Sequence, residues 1–423
     1  MRPPAGAPAA RSLRWIWLLI SLFTAAVLFL PVLAHWLEGP LRPDVLQYLP
    51  AQTAERGRSL ARDILTANAL GSMVTFGAML WLCLSQSGNR VVVWLEGLGR
   101  GRLWLSTVIL AFVAALSQWL PGLPFAFYGY RVKVAYGLVH STPLAWLIDT
   151  LVSFIIDAIL ISAIAIPCYA LLRRSPRWWW LPGGAIAVVL FAFMNMIYPV
   201  YIQPLTTPVV PVTDPQVLSS VERLADKGGV KIGPPRELLM SQKTKASNAS
   251  VSGLGPTKQV LIWDTLLQQL QPKEVEVVLG HELGHARYMD EIRYTVEDGL
   301  IMFLIVYLLA WILRLMARTG AMGLSTPFAP RVFMPMLALA LMLQGIASPI
   351  ENTISRVAES RADRFALELT ADPASFISAF KKMSSENLSD IDPPKLDEWL
   401  RWNHPSIMNR FRQAEAFARE QGH

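Results

Sequence analysis

The sequence predicts a mainly α-helical integral-membrane protein that carries a small β-sheet, and three observations predict it. The 423 residues are 53% hydrophobic and only 16% charged, with a mean hydropathy of +0.37, which sets the chain apart from ordinary soluble domains. Apolar runs long enough to cross a hydrocarbon core of about 30 Å recur seven times. Two polar regions lie between and after them, and the first contains short strand-like runs.

The seven spans run from Trp15 to Leu33, Ala67 to Leu84, Leu103 to Leu120, Leu144 to Leu172, from the Trp178–Trp180 aromatic belt to Pro199, from Leu300 to Met316 and from Val332 to Ile350. The first has a long apolar core with no small-residue cleavage site behind it, so it reads as a span and not as a removed leader. Cys83 and Cys168 both fall inside spans, which excludes a disulfide framework and a cysteine metal site. The net charge of +7 sits largely in short loops at span ends. That placement is membrane anchoring, with the lipid bilayer as partner, and argues against nucleic acid. Positive charges at Arg2, Arg11, Arg14, Arg90, Arg100, Arg102, the Arg173 group, Arg318 and Arg331 outnumber those at Arg56, Arg58, Arg62, Arg131 and Lys133 on the other face. The count places the N-terminus in the cytoplasm and both polar regions outside.

The expected organisation is residues 1–205 for spans one to five, 206–299 for a polar domain, 300–350 for spans six and seven, and 351–423 for a second polar part. Two spans separate the polar parts, so both lie on one face and can share a site. Pro204–Pro215 reads as a linker and Gln216–Lys227 as an amphipathic helix. Leu238–Gln242, Ala249–Ser252 and Gln259–Trp263 read as strands of a hairpin-like sheet. Asp264 or Thr265 caps a short helix, and Pro272, followed by Glu274 and Glu276, opens the next one.

That last helix carries His281-Glu282-Leu283-Gly284-His285. Four-residue spacing brings both imidazoles to one face with Cβ atoms about 5–6 Å apart, close enough to share one Zn²⁺, with Glu282 beside the open position as general base. The pattern arises by chance in roughly one chain in a hundred of this length, so it needs a third ligand to carry weight. Glu359 and Asp363, four residues apart immediately after the seventh span, supply one: Glu359 as ligand and Asp363 as the acceptor that orients a ligand histidine. The competing reading is a solvated helix face paired with Arg356 and Arg361. Glu291 and Glu297 are rival third ligands, but they lie too far along the axis from His285. One Zn²⁺ per chain is expected.

Together these residues resemble the type I CAAX prenyl proteases, integral-membrane zinc enzymes that trim prenylated proteins. The resemblance extends to Asn248-Ala249 with Gly253, to Ile262–Leu267 before the metal helix, to His404-Pro405 with Arg410, and to Tyr136-Gly137-Leu138 with Trp146–Asp149. It covers most of the chain from about Tyr130 onward. It implies seven helices enclosing a water-filled chamber, capped by a gluzincin-like zinc domain. It also implies His281, His285 and Glu359 on zinc, Glu282 in catalysis, and Asn248 on an edge strand that pairs with an extended substrate. His404 and Arg410 would stabilise the oxyanion or the substrate backbone, and Asp363 would donate a proton or only orient. Asp149 and Asp157 within a span fit a wet interior or a salt-bridged bundle core.

The substrate implied is a peptide or protein, either a prenylated C-terminus or, as in heat-shock-induced bacterial proteases, a misfolded membrane protein. A transport protein is the reading from another class, and a full metal-ligand set argues against it. The Ala- and Pro-rich start and the preference for Arg over Lys suit a bacterial inner membrane. The family's usual arrangement places the zinc domain on the face opposite to the one given by the charge count.

Overall fold

In lipid, a backbone has no polar partner but itself, so long apolar stretches fold as helices. The computed structural model describes residues 8–319 and 332–422. Arg2 and Arg331, used in the charge count, lie outside the described residues. The N-terminal half is α1 (Pro8–Trp36), α2 (Ala51–Leu84), α3 (Gln86–Gly97), α4 (Leu103–Trp119), α5 (Leu123–Ala135), α6 (Pro143–Arg174) and α7 (Trp180–Ile197), which a π turn at Tyr198–Ile202 joins to α8 (Gln203–Thr206). The polar domain follows with β1 (Val209–Pro211), α9 (Pro215–Gly228), β2 (Arg236–Leu238), β3 (Ala249–Ser252), β4 (Gln259–Trp263), α10 (Asp264–Gln269) and α11 (Pro272–Tyr288). The chain then re-enters the apolar layer through α12 (Asp290–Thr319) and α13 (Phe333–Thr370), and ends with α14 (Pro373–Glu386), α15 (Lys395–Arg401) and α16 (Ile407–Glu420).

Six helices are long and apolar enough to span a membrane, and α4 with α5, bent by 41° at Leu120–Gly122, make a seventh. The expected number therefore holds, while the ends differ where polar residues extend a span. α2 begins at Ala51, because Arg58 pairs with Glu38 at 2.9 Å and keeps this polar first part helical beyond the apolar stretch. α13 does not stop at Ile350 but runs unbroken through Pro349 to Thr370. In the ring, α4 packs on α6, α6 on α7, α7 on α12, α12 on α13, and α13 back on α4. This circuit of five helices closes, and α1 and α2 pack on α13. Asp149, on α6, is salt-bridged to Lys243 of the polar domain at 2.6 Å, whereas Asp157 is exposed.

The sheet has the order β1-β2-β4-β3. β3 and β4 form the expected antiparallel pair, with Ser250 opposite Leu261. β2 runs parallel to β4, and β1, inside the stretch read as linker, pairs with β2. Leu238–Gln242 is not a strand. β2 ends at Leu238 and Met240–Gln242 is a 3₁₀ turn, because the Asp264 carboxylate draws in the Ser241 N–H at 2.9 Å and the Ser241 hydroxyl. Nor does Asp264 or Thr265 cap α10; Trp263 holds that position and Asp264 is the first helical residue. α9 agrees more closely with expectation: Asp214 accepts the Gln216 N–H at 2.8 Å and Gly229, at φ +62°, ends the helix.

Two apolar cores flank α11. Val221, Leu224, Val260, Ile262 and Leu266 pack with its Leu279 and Leu283 on one side. Leu367, Phe376 and Phe411 pack with its Val277 on the other. The metal-motif helix is thus held between the sheet and the C-terminal helices, with α13 crossing directly over it.

Candidate metal centre

Burial of α11 follows from its sequence. Pro272 opens it, and the Gln271 N–H donates to Glu274 Oε2 at 2.7 Å, closing the first turn. Glu274 is itself buried. Burial would raise its carboxyl, but Lys382 at 2.7 Å, Ser378 at 2.5 Å and the Gln271 N–H outweigh it and hold the group below its ordinary 4.5. One turn before the motif's end the helix must admit α13. A Cβ on Gly284 would stand 3.0 Å from Ala362 Cα, and one on Gly280 3.4 Å from Ala366 Cα. Glycine on one helix against alanine on the other lets the backbones approach, and this contact brings Glu359 to the histidines.

His281 Nε2 lies 3.2 Å from His285 Nε2 and 3.2 Å from Glu359 Oε2, and His285 Nε2 lies 3.4 Å from Glu359 Oε1. Each ring is fixed from behind. His281 Nδ1 is 2.9 Å from Asp363 Oδ1, and His285 Nδ1 is 3.0 Å from Asp290 Oδ2. A carboxylate only accepts, so these contacts put a proton on Nδ1 of each ring and turn each Nε2 toward Glu359. Arg410 Nη2 also approaches His281 Nδ1 at 3.2 Å, but the shorter contact belongs to Asp363. Asp363 is fully buried, as is nearly all of Arg410, whose Nε donates to Asp363 Oδ2 at 2.9 Å and whose Nη2 donates to Asp363 Oδ1. On the other side Arg361 donates to Asp290.

Two imidazole nitrogens and a carboxylate thus converge, and buried Glu359 Oε2 has no hydrogen-bond partner among the described residues. Such a buried cluster favours positive charge, supplied by a proton or by a metal cation. Burial disfavours charge on His285, yet Asp290 and Glu359 outweigh it and push the imidazole up to about 10, so without a metal ion the ring carries a proton that metal binding displaces. These donors, two imidazole nitrogens and a carboxylate, suit a divalent transition metal.

The surrounding cavity, about 320 Å³, is lined by Asn248 to Val251 of the β3 region, by Glu282, and by His404 and Arg410. Glu282 Oε2 accepts the Val251 N–H at 2.9 Å. β3 is an edge strand, and Asn248 just before it is exposed to the cavity. His404 stands at the mouth with its side chain 49% exposed and Nε2 3.3 Å from Glu359 Oε1. A second cavity of about 230 Å³ shares Val251, Glu291 and Tyr294 with the first and continues past Asn195 and Asp298 toward the membrane helices.

The comparisons with known proteins fit this geometry. A family model described as "Peptidase family M48" matches residues 211–418, and "CAAX prenyl protease N-terminal, five membrane helices" matches residues 39–207. An "uncharacterized metalloprotease YhfN" of Bacillus subtilis is 32% identical over 79% of this chain and 79% of its own. The chain belongs to peptidase family M48. Other relatives of this M48 peptidase include "CAAX prenyl protease 1" of Saccharomyces cerevisiae, 25% identical over 72% of this chain and 71% of that protein. The Arabidopsis thaliana homologue is 25% identical over 72% of each. A crystal structure of S. mikatae Ste24p shares the fold at TM-score 0.78 and 20% identity, over 98% of this chain and 100% of that one. The M48 peptidase is a multi-pass membrane metalloprotease that acts on peptide or protein substrates.

All eight residues singled out from the sequence of the M48 peptidase line this cavity or touch a residue that does. The solvated-face reading of Glu359 and Asp363 fails, since they are 5% and 0% exposed. Arg356 is spent on the Glu398 carbonyl at 2.8 Å and the Trp402 carbonyl. Asp290 and Arg361 were missed as site residues. The available signal was an aspartate five residues after His285, where Met289 at φ +55° turns the chain back and brings a side chain to the ring that helical spacing alone would carry away.

Proposed function

We propose that the chain is an integral-membrane zinc endopeptidase in which His281, His285 and Glu359 hold the metal and Glu282 is the general base. The observation that carries the reading is the convergence of two Nε2 atoms and an unpartnered carboxylate oxygen, with Glu282 in the same cavity. Zinc, when bound, lowers the pKa of a water toward about 7 and polarises the scissile carbonyl. Glu282, oriented by the Val251 N–H, accepts the proton of that water and returns it to the leaving amine.

Asn248 and the free edge of β3 bind the substrate as an added strand, main chain to main chain. His404, at the mouth, donates to the carbonyl oxygen as charge develops on it. Arg410 is a positioning residue: its guanidinium is committed to Asp363, so it acts through Asp363 on His281. Asp363 likewise orients and does not donate a proton, because Arg410 holds it ionised by a two-point contact.

The names of the yeast and plant relatives point to prenylated C-termini, and the second cavity, leading from the site toward the membrane ring, gives a lipid-bearing peptide a route. The Bacillus relative fits a bacterial cytoplasmic membrane. A farnesylated CAAX peptide and its unprenylated twin, offered to purified protein with Glu282→Gln as control, test the reading. Faster zinc-dependent cleavage of the lipidated peptide supports it; equal rates move the assignment to quality control of membrane proteins. Proteolysis surviving in Glu282→Gln sinks the mechanism. Protease accessibility of a C-terminal tag decides which face carries the site, cytoplasmic by family resemblance and external by charge count.

A further inference from the structure

Where α1 leaves the apolar layer, it delivers a second set of donors to the C-terminal part of the chain. His35, in the last turn of α1, is 4% exposed, and Asp390, in the loop between α14 and α15, is 6% exposed. His35 Nδ1 is 3.7 Å from Glu38 Oε2 and 3.8 Å from Asp390 Oδ2, too long for hydrogen bonds. All three atoms are buried and none has a hydrogen-bond partner among the described residues. Two donors each about 2.1 Å from one ion at tetrahedral or wider angles stand about 3.4 to 3.8 Å apart; both histidine–carboxylate separations fall in that range, and all three donors lie within 4.8 Å of one another.

The remaining atoms of these residues are already committed, as in a metal site whose ligands are oriented from behind. His35 Nε2 lies 3.0 Å from Asp397 Oδ2. Asp397 in turn accepts from Arg401 Nε at 2.6 Å and Trp402 Nε1 at 2.9 Å. Glu38 Oε1 takes Arg58 Nη2 at 2.9 Å. Both ring nitrogens of His35 face carboxylates, Nε2 that of Asp397 and Nδ1 those of Glu38 and Asp390, so the pocket favours positive charge at Nδ1, whether a proton or a metal cation. Like charges so close in a buried place repel unless a cation lies between them.

The backbone supports the same conclusion. Leu388 sits at φ +48°, a strained conformation for a branched residue. A Cβ on Gly57 of α2 would come within 2.5 Å of the Ser389 carbonyl oxygen. The Met408 N–H holds the Ile391 carbonyl at 3.1 Å, and Arg42 holds Asp392 at 2.7 Å. The loop is thus fastened on both sides of Asp390, as a ligand-bearing loop must be.

We infer that His35, Glu38 and Asp390 form a second metal site, distinct from the peptidase centre, that takes a divalent transition-metal ion of the zinc class and ties the first membrane helix to the C-terminal segment. Its test is metal content of the purified full-length chain after equilibration with Zn²⁺ and removal of loose ion. Two zinc per chain are expected in the wild type, and one each in His281→Ala and in Asp390→Asn. One zinc in the wild type with none in His281→Ala overturns the second site, as does Asp390→Asn keeping two. One zinc remaining in both wild type and His281→Ala would uphold this site and overturn the peptidase-centre assignment, so the two readings fail separately. If Asp390→Asn does not fold, the wild-type and His281→Ala contents still decide.

Discussion

The two histidines of the candidate metal centre are supported in the same manner by different parts of the molecule. Behind His281 stands Asp363, fully buried and forked by the almost wholly buried Arg410, both from the C-terminal part of the chain. Behind His285 stands Asp290, from the start of the very next helix, with Arg361 beyond it and that side chain 30% exposed. One support is assembled only when the chain's two polar parts meet; most of the other forms locally. The difference teaches that the geometry of His281 reports on the whole fold, while that of His285 reports chiefly on the turn at Met289.

Asp363→Asn should break the comparison most visibly. Loss of an outer support of a metal histidine costs about 10- to 100-fold in affinity or activity, and here the upper end is expected, because buried Arg410 loses its counter-charge as well. Competition with a zinc chelator reads the affinity directly. Asp290→Asn should fall near the lower end, about 10-fold, since Arg361 reaches water and keeps its solvation; an equal or greater loss there would erase the distinction. Arg361→Lys removes the planar fork but leaves a cation in a half-open place, so a change of about threefold or less in kcat/KM is expected. A control at the far end of the same helix sharpens the contrast. Glu274→Gln should lower thermal stability at pH 7 without altering zinc affinity. Because the Glu274 carboxyl is held below 4.5 in the folded protein, its contribution is present above that pH and lost as the pH falls through the lowered value. The gap between wild type and variant should therefore close in acid.

The sequence made the His281 side readable for a physical reason. His281, His285, Glu359 and Asp363 obey helical spacing, and i,i+4 pairs on two helices identify themselves. Asp290 did not, because its approach depends on a left-handed residue, Met289, that no periodicity signals. Likewise the apolar spans were legible while their polar extensions were not: hydropathy ends where lipid ends, but α2 continues with the Arg58–Glu38 pair and α13 with Ala362, Ala366 and Leu367 packed against α11. β1 lay hidden in a proline-rich stretch because its partner is another short strand and not a pattern of its own. Strand β2 was displaced toward Gln242 by its apolar neighbours Leu238 to Met240, and only the pull of Asp264 on Ser241 ends it early.

The continuity of α13 has a mechanical meaning. At 1.5 Å per residue, Glu359 stands about 30 Å along the axis from Ala338 in the membrane layer. The helix is therefore a lever: a tilt of about 2° at its lipid-embedded end moves the carboxylate by about 1 Å, the scale at which a misplaced catalytic group costs about 100-fold in rate. Bilayer thickness and lateral pressure should therefore act on turnover, and activity in short- and long-chain lipid vesicles should differ even when the peptide offered is water-soluble.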